Sequence, residues 1–189
     1  IGGTEANARI LAVLPSVDPA MRAKLIGVLG ARRAESASGE LLKLAAGADA
    51  EISKAAFRAL ALVARPRDLP ELIRLSSACS DEAVKVPAGL AVFAVSMKID
   101  PVGKRIDPVL TAYRAATDAK TKCSLLQPLG AIVKAMGGST QAFDTVKMAL
   151  NDRDVSVRDA ALRCMADWPD ASPATMLLEI VNRDQDPAH

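Results

Sequence analysis

Hydrophobic and polar positions along this chain follow one pattern that recurs every 31 to 37 residues. Each copy is centred on an aspartate. An aliphatic residue stands eight positions before it, and mostly apolar residues stand three, seven and eleven positions after it, which places these later residues on one face of an α-helix. Self-similarity at this period predicts a solenoid of stacked helical units. The aspartates of the six copies are Asp18, Asp49, Asp81, Asp118, Asp154 and Asp186.

The second copy illustrates the two helices that we expect in each unit. Ser38 is a candidate N-cap for a first helix over 39–46, and Gly47 would end that helix. Asp49 would cap a longer second helix over 50–64, whose apolar residues follow a period of about 3.6 residues. Each unit is therefore predicted to be a pair of helices joined by a short turn.

The predicted fold class is all-α, with five helix pairs and one further helix. In the sixth copy a first helix is expected over 173–182, and the second would begin at Asp186, close to the end of the chain, so the sequence reads as a fragment of a longer solenoid. Apolar residues of that further helix, Leu177, Leu178 and Val181, would be partly exposed, and we expect end-to-end self-association there. The predicted units cover 4–34, 35–66, 67–100, 101–136 and 137–169, with a partial unit over 170–189.

The aspartate of each copy has a predicted structural task. A carboxylate just before a helix accepts hydrogen bonds from free backbone N–H groups and is favoured by the helix dipole. The residue four positions later is basic in four of the five complete copies, so we expect ion pairs within one helix or a ladder of pairs between units. This structural set comprises Asp18, Asp49, Asp81, Asp118, Asp154, Arg22, Lys85, Lys122 and Arg158.

The segment 151–162 resembles the start of the second helix in HEAT repeats, whose D-x-x-V-R-x-x-A pattern matches Asp154, Val157, Arg158 and Ala161. The resemblance covers nearly the whole chain. It implies a right-handed superhelix, second helices that line its concave side, and protein binding as the common use. A narrower resemblance, over 166–173 and the last four residues, is to HEAT segments of large secreted or periplasmic bacterial proteins. It implies a scaffold beside a sugar-processing or haem-containing module.

Each second helix also has a face that points away from the core positions. At 100° per residue, this face contains the positions five, nine and twelve after each aspartate. In the third unit it is apolar, which predicts the floor of a groove for a partner. The alternative is that Pro87 kinks this helix, shifts its phase and leaves these residues buried. The binding residues predicted from this face are Lys54, Arg58, Val86, Leu90, Phe93, Gln127, Asp159 and Arg163.

Composition narrows the range of functions. The 189 residues carry a net charge of +2 and only 3% aromatic residues, which argues against a nucleic-acid partner. The single histidine, His189, is the last residue, and the three cysteines are widely spaced, so we expect no catalytic residues, no metal site and no cofactor. No apolar run reaches the roughly 20 residues that span a bilayer, which predicts no membrane insertion. The compartment, cytoplasmic or periplasmic, stays open.

These observations favour a non-enzymatic protein-binding or scaffolding module that uses its concave face. The expected partner is another protein or another domain of the same parent chain. Two alternatives stay open: an accessory solenoid that positions a catalytic module outside this sequence, and a HEAT-like protein that binds nucleic acid, which would need clustered basic residues.

Overall fold

A computed structural model describes residues 3–178 of the chain. Within this range every element of regular secondary structure is a helix, and short 3₁₀ turns connect several of the α-helices. Helical residues continue at 174–178 after the last of the ten complete α-helices. These ten are α1 (Gly3–Val13), α2 (Pro19–Ala31), α3 (Ser38–Ala45), α4 (Ala50–Val63), α5 (Leu69–Ala78), α6 (Glu82–Ser96), α7 (Asp107–Ala115), α8 (Ala119–Met136), α9 (Thr140–Ala149) and α10 (Val155–Ala166).

The ten helices form five consecutive pairs, and each pair falls within one of the predicted residue ranges except that α1 begins one residue earlier, at Gly3. In the second unit the helices begin and end within one residue of the predicted 39–46 and 50–64. The role predicted for Ser38 is wrong, because this serine is the first residue of α3 and not its cap. The 3₁₀ turn Glu35–Ala37 leads directly into the helix, so no separate capping residue stands between them.

Each second helix begins immediately after an aspartate whose carboxylate accepts a backbone hydrogen bond. In α2 the carboxylate of Asp18 accepts from the N–H of Met21 at 2.9 Å, and in α8 that of Asp118 accepts from the N–H of Thr121 at 2.8 Å. The latter bond lowers the pKa of Asp118. The same arrangement recurs in the other three second helices, so the chain starts all five in one way. Their capping residues are Asp49, Asp81 and Asp154.

Successive second helices pack against one another. Helix α2 contacts α4, α4 contacts α6, α6 contacts α8, and α8 contacts α10, while each second helix also packs on the first helix of its own unit. The residue eleven positions after each capping aspartate lies in the core and is at most 1% exposed. Apolar side chains in this column supply much of the stabilising burial. They are Leu29, Leu60, Val92, Leu129 and Met165.

Small residues allow the second helices to approach closely. A Cβ built on Gly30 of α2 would lie 3.0 Å from the Cα of Ala59 on α4, and one on Gly130 of α8 would lie 2.9 Å from the Sγ of Cys164 on α10. Both glycines stand twelve residues after their aspartate, and both neighbours stand ten residues after theirs. The same register places Phe93 of α6 opposite Pro128 of α8, so one large residue interrupts a column that is otherwise glycine or alanine. We call this column of contacts the seam.

The fifth unit is closed by an aromatic pair. The rings of Phe143 in α9 and Trp168, just after α10, meet edge to face with centroids 5.5 Å apart. Farther along, Leu177 is half-buried against the core and Leu178 is 63% exposed. The remaining predictions for the sixth copy, which concern Val181, Asp186 and His189, lie outside the described residues.

Candidate functional site

The position nine residues after each capping aspartate is exposed in all five second helices. Together with the position five after the aspartate, which is half-buried or exposed, it forms a surface that we call the outer face. The position twelve after the aspartate, which was predicted to share this face, is buried at Gly30 and half-buried in the next three units because it lies in the seam. Because consecutive second helices are in contact, the outer face continues from α2 to α10. The five residues at the ninth position are Gly27, Arg58, Leu90, Gln127 and Arg163.

The third unit makes the outer face apolar at its centre. Val86 is 54% exposed and Leu90 is 58% exposed, although both are large aliphatic side chains. Pro87 lies buried inside α6, which continues without a break from Glu82 to Ser96. The alternative in which Pro87 shifts the phase of the helix and buries its outer residues is therefore wrong for Val86 and Leu90. Phe93 differs, because it is half-buried and packs against the core, as its place in the seam requires.

The exposed residues Val86 and Leu90 both lie on α6, and we call them the apolar patch. A further exposed apolar residue, Leu62 of α4, was not predicted from the sequence; it is 45% exposed and stands thirteen residues after Asp49. Its side chain leans toward α2, where a Cβ built on Gly30 would lie 3.5 Å from its Cδ1, so it is not part of the apolar patch.

The charged residues of the outer face differ in whether they are paired. Lys54, whose side chain is 19% exposed, forms an ion pair with Glu51 on the same helix. Arg58 and Arg163 are exposed, and neither forms an ion pair within residues 3–178. Asp159 is also exposed and lies four residues before Arg163, so the charge on α10 is mixed.

In the first and fifth units, the basic residue four positions after the capping aspartate ties the two helices of the unit together. The guanidinium of Arg22 donates to the carbonyl oxygen of Leu14 at 2.8 Å, and that of Arg158 donates to the carbonyl oxygen of Asp152 at 2.9 Å. In the second unit Ser53, which takes the place of the base, donates to the carbonyl oxygen of Ala45 at 2.8 Å. These bonds satisfy carbonyl groups at or after the end of each first helix.

Across residues 3–178, no ion pair joins a capping aspartate to the base four positions later, because these carboxylates accept from backbone N–H groups instead. Lys85 pairs with Glu82 on its own helix. Lys122 reaches the next unit, where its ammonium lies 2.6 Å from the carboxylate of Asp152. Only this member of the predicted set makes an ion pair between units in the described part of the chain.

Two clefts open along α8. The larger, of about 490 Å³, lies between α8 and α10 and is lined by Gln127, Gly130, Lys134, Arg163 and others. The smaller, of about 360 Å³, is lined by residues of α6 and α8 that include Lys85, Cys123 and Gln127. Gln127 lines both clefts, and its side chain also lies against Gly89 of α6. Two of the predicted binding residues, Gln127 of unit four and Arg163 of unit five, thus line one cleft.

Burial changes the ionisation of three side chains in the described region. Burial raises the pKa of the Cys164 thiol to about 12 and also raises the pKa of Cys123, so both favour the protonated, unreactive form. Burial likewise raises the pKa of Tyr113 to about 12. No group of three or more histidine, cysteine or acidic residues within 3–178 is arranged to hold a metal ion. Over the same residues, no helix is both long enough and apolar enough to cross a membrane.

Comparison with known proteins gives no guide to the function of this surface. No protein-family model matches the chain, and neither does any curated protein sequence.

Proposed function

We propose that this chain is a non-enzymatic protein-binding module, built as a HEAT-like solenoid with a right-handed superhelical course. In this proposal the second helices line the concave side, and the outer face is the surface that receives the partner. The partner is another protein or another domain of the same parent chain.

One observation carries the proposal: the apolar patch is exposed at the centre of a surface that is continuous over five helices. Leu90 is 58% exposed at a position where a stacked helix could easily have carried a polar residue, as Gln127 and Arg163 do in the next two units. Contiguous exposed apolar side chains rimmed by polar ones are typical of protein interaction sites. The clefts along α8 are concave sites into which a side chain of the partner could insert.

A pair of photo-crosslinking variants tests this proposal. Benzoylphenylalanine is placed at position 90 on the outer face, or at position 148 on α9, where Met148 is 77% exposed on a first helix. We expect a discrete adduct with one partner from position 90 and none from position 148. The purified partner should then bind Leu90→Ser about tenfold more weakly than the parent chain and should bind Met148→Ser unchanged. Equal adducts from both positions, or none from position 90, would contradict the proposal.

A further inference from the structure

The arrangement of charge around the apolar patch identifies the chemistry of its partner. The two glutamates beside the patch are already paired, Glu51 with Lys54 and Glu82 with Lys85. By contrast, Arg58 on α4 has no acidic partner within residues 3–178. The unpaired charge next to this part of the surface is therefore cationic.

A second unpaired cation lies on the opposite side of the patch. Lys134 in the last turn of α8 is exposed, lines the larger cleft and forms no ion pair within the described residues. The unpaired acids of this surface, Asp159 and Asp167, lie one helix farther on, and each is four residues from Arg163. The stretch from α4 to α8 is thus an apolar centre with a free base at each end.

The dimensions fit a short helix laid diagonally across the stack. Neighbouring packed helices lie about 8–10 Å apart, so Arg58 and Lys134, two helices and two turns apart, are separated by roughly 20 Å. The line between them crosses α6 near the half-buried Phe93, one helical turn from Leu90. A helix of about 14 residues covers this length at 1.5 Å per residue. Residues 3–178 form no strand with which an extended peptide could pair, and a helix satisfies its own backbone groups, which favours a helical partner segment.

We infer that the outer face binds an acidic amphipathic helix of a partner protein, with its apolar stripe on Leu90 and Phe93 and its carboxylates at Arg58 and Lys134. This inference rests on the proposed function and specifies the class of partner. Charge reversal on the partner would abolish the fit, because a basic helix would place its cations against two bases that have no acidic partner.

Two model peptides test the inference with the full chain. Each is a fluorescein-labelled helix of about 18 residues with an identical leucine stripe, long enough to be partly helical in water. The polar positions are glutamate in one peptide and lysine in the other, and binding is measured by fluorescence anisotropy. We expect the acidic peptide to bind at least about tenfold more tightly than the basic one, and its affinity to fall as salt screens the two bases.

Matched charge reversals locate the contact. Arg58→Glu and Lys134→Glu should each weaken binding of the acidic peptide about fivefold or more, and Leu90→Ser should do so without loss of helical circular dichroism. Lys147→Glu is the control, because Lys147 is exposed in the last turn of α9, as Lys134 is in α8. The inference is overturned if the basic peptide binds as well as the acidic one, if the acidic peptide does not bind, or if Lys147→Glu weakens binding as much as Lys134→Glu. A specific crosslink from position 90 combined with failure of the acidic peptide would refute the partner chemistry alone; failure of both would refute the proposed function as well.

Discussion

Two glycines one turn apart on α2 should respond in opposite directions to an added methyl group. A Cβ on Gly27 would meet nothing within 4 Å, whereas a Cβ on Gly30 would lie 3.0 Å from the Cα and 3.1 Å from the Cβ of Ala59. Both positions are inside the helix, so Gly→Ala gains about 1 kcal/mol in helix propensity at either one. At Gly30 this gain is opposed by overpacking of about 1–3 kcal/mol, because the Ala59 backbone cannot rotate away as a long side chain would.

We therefore expect Gly27→Ala to raise the free energy of unfolding by about 0.5–1 kcal/mol and Gly30→Ala to lower it by up to about 2 kcal/mol. Thermal and urea unfolding followed by circular dichroism would measure both variants, and each kcal/mol corresponds to about 2–4 °C in Tm for a chain of this size. Gly27→Ala is the matched control, since it makes the same chemical change on the same helix. If Gly30→Ala melts with or above Gly27→Ala, α2 and α4 do not approach as closely as described, and the seam is wrong.

Three further predictions follow from burial and charge. Leu60→Ala and Leu129→Ala truncate side chains that have no exposed surface. Each should lower the free energy of unfolding, measured by urea titration, by about 2–5 kcal/mol, and a change below about 0.5 kcal/mol would contradict the assignment of these residues to the core. The hydrogen bond from Lys122 holds the pKa of Asp152 below its ordinary value of 3.8. This pair should therefore stabilise the fold fully above about pH 4. Its contribution should be lost as the pH falls through the lower pKa of Asp152 in the folded state. Lys122→Met should accordingly flatten the acid side of a stability–pH curve, and an unchanged curve would count against the pair. Cys164, which is 7% exposed, should react with iodoacetamide only on unfolding. Mass spectrometry of the alkylated protein measures this reaction. Alkylation of Cys164 in the native protein at a rate similar to that of the other two thiols would refute its burial.

The sequence was sufficient to predict the helices of the second unit and the start of all five second helices. An aspartate cap and a core residue eleven positions later are properties of one helix, so the 3.6-residue period contains the information. The cap predicted for Ser38 failed because a 3₁₀ turn continues into α3, and a serine in that position is compatible with either geometry. Met21, at the third position after Asp18, is 43% exposed although its counterpart Ile52 is 6% exposed. Periodicity identifies the face of a helix but not how completely its neighbours cover it.

The candidate site was predictable only in part. The ninth position after each aspartate was expected to be exposed, and Leu90 and Arg58 are. The sequence does not show which basic side chains remain without an acidic partner. Glu51 and Lys54, for example, are spaced so that they can form an ion pair, but whether they do depends on their side-chain rotamers. The ion pair between Lys122 and Asp152 joins residues of different units, and its formation depends on how the helices stack. The exposure of Leu62 was missed because it depends on how α4 packs against α2, where this side chain lies near Gly30.

The place of Phe93 in the seam has a consequence for motion within the stack. Elsewhere in the seam, a Cβ on Gly30 would lie 3.0 Å from the Cα of Ala59, and one on Gly130 would lie 2.9 Å from the Sγ of Cys164. Between α6 and α8, Phe93 takes the place of these glycines, and the side chain of Gln127 lies against Gly89. Because long side chains change rotamer more readily than backbones move apart, we predict that this junction is the hinge of the chain. A helix seated across Leu90 toward α8 would span that hinge, so binding would fix the angle between the first three units and the last two. Conversely, substitutions that stiffen the hinge would change affinity without touching the bound segment.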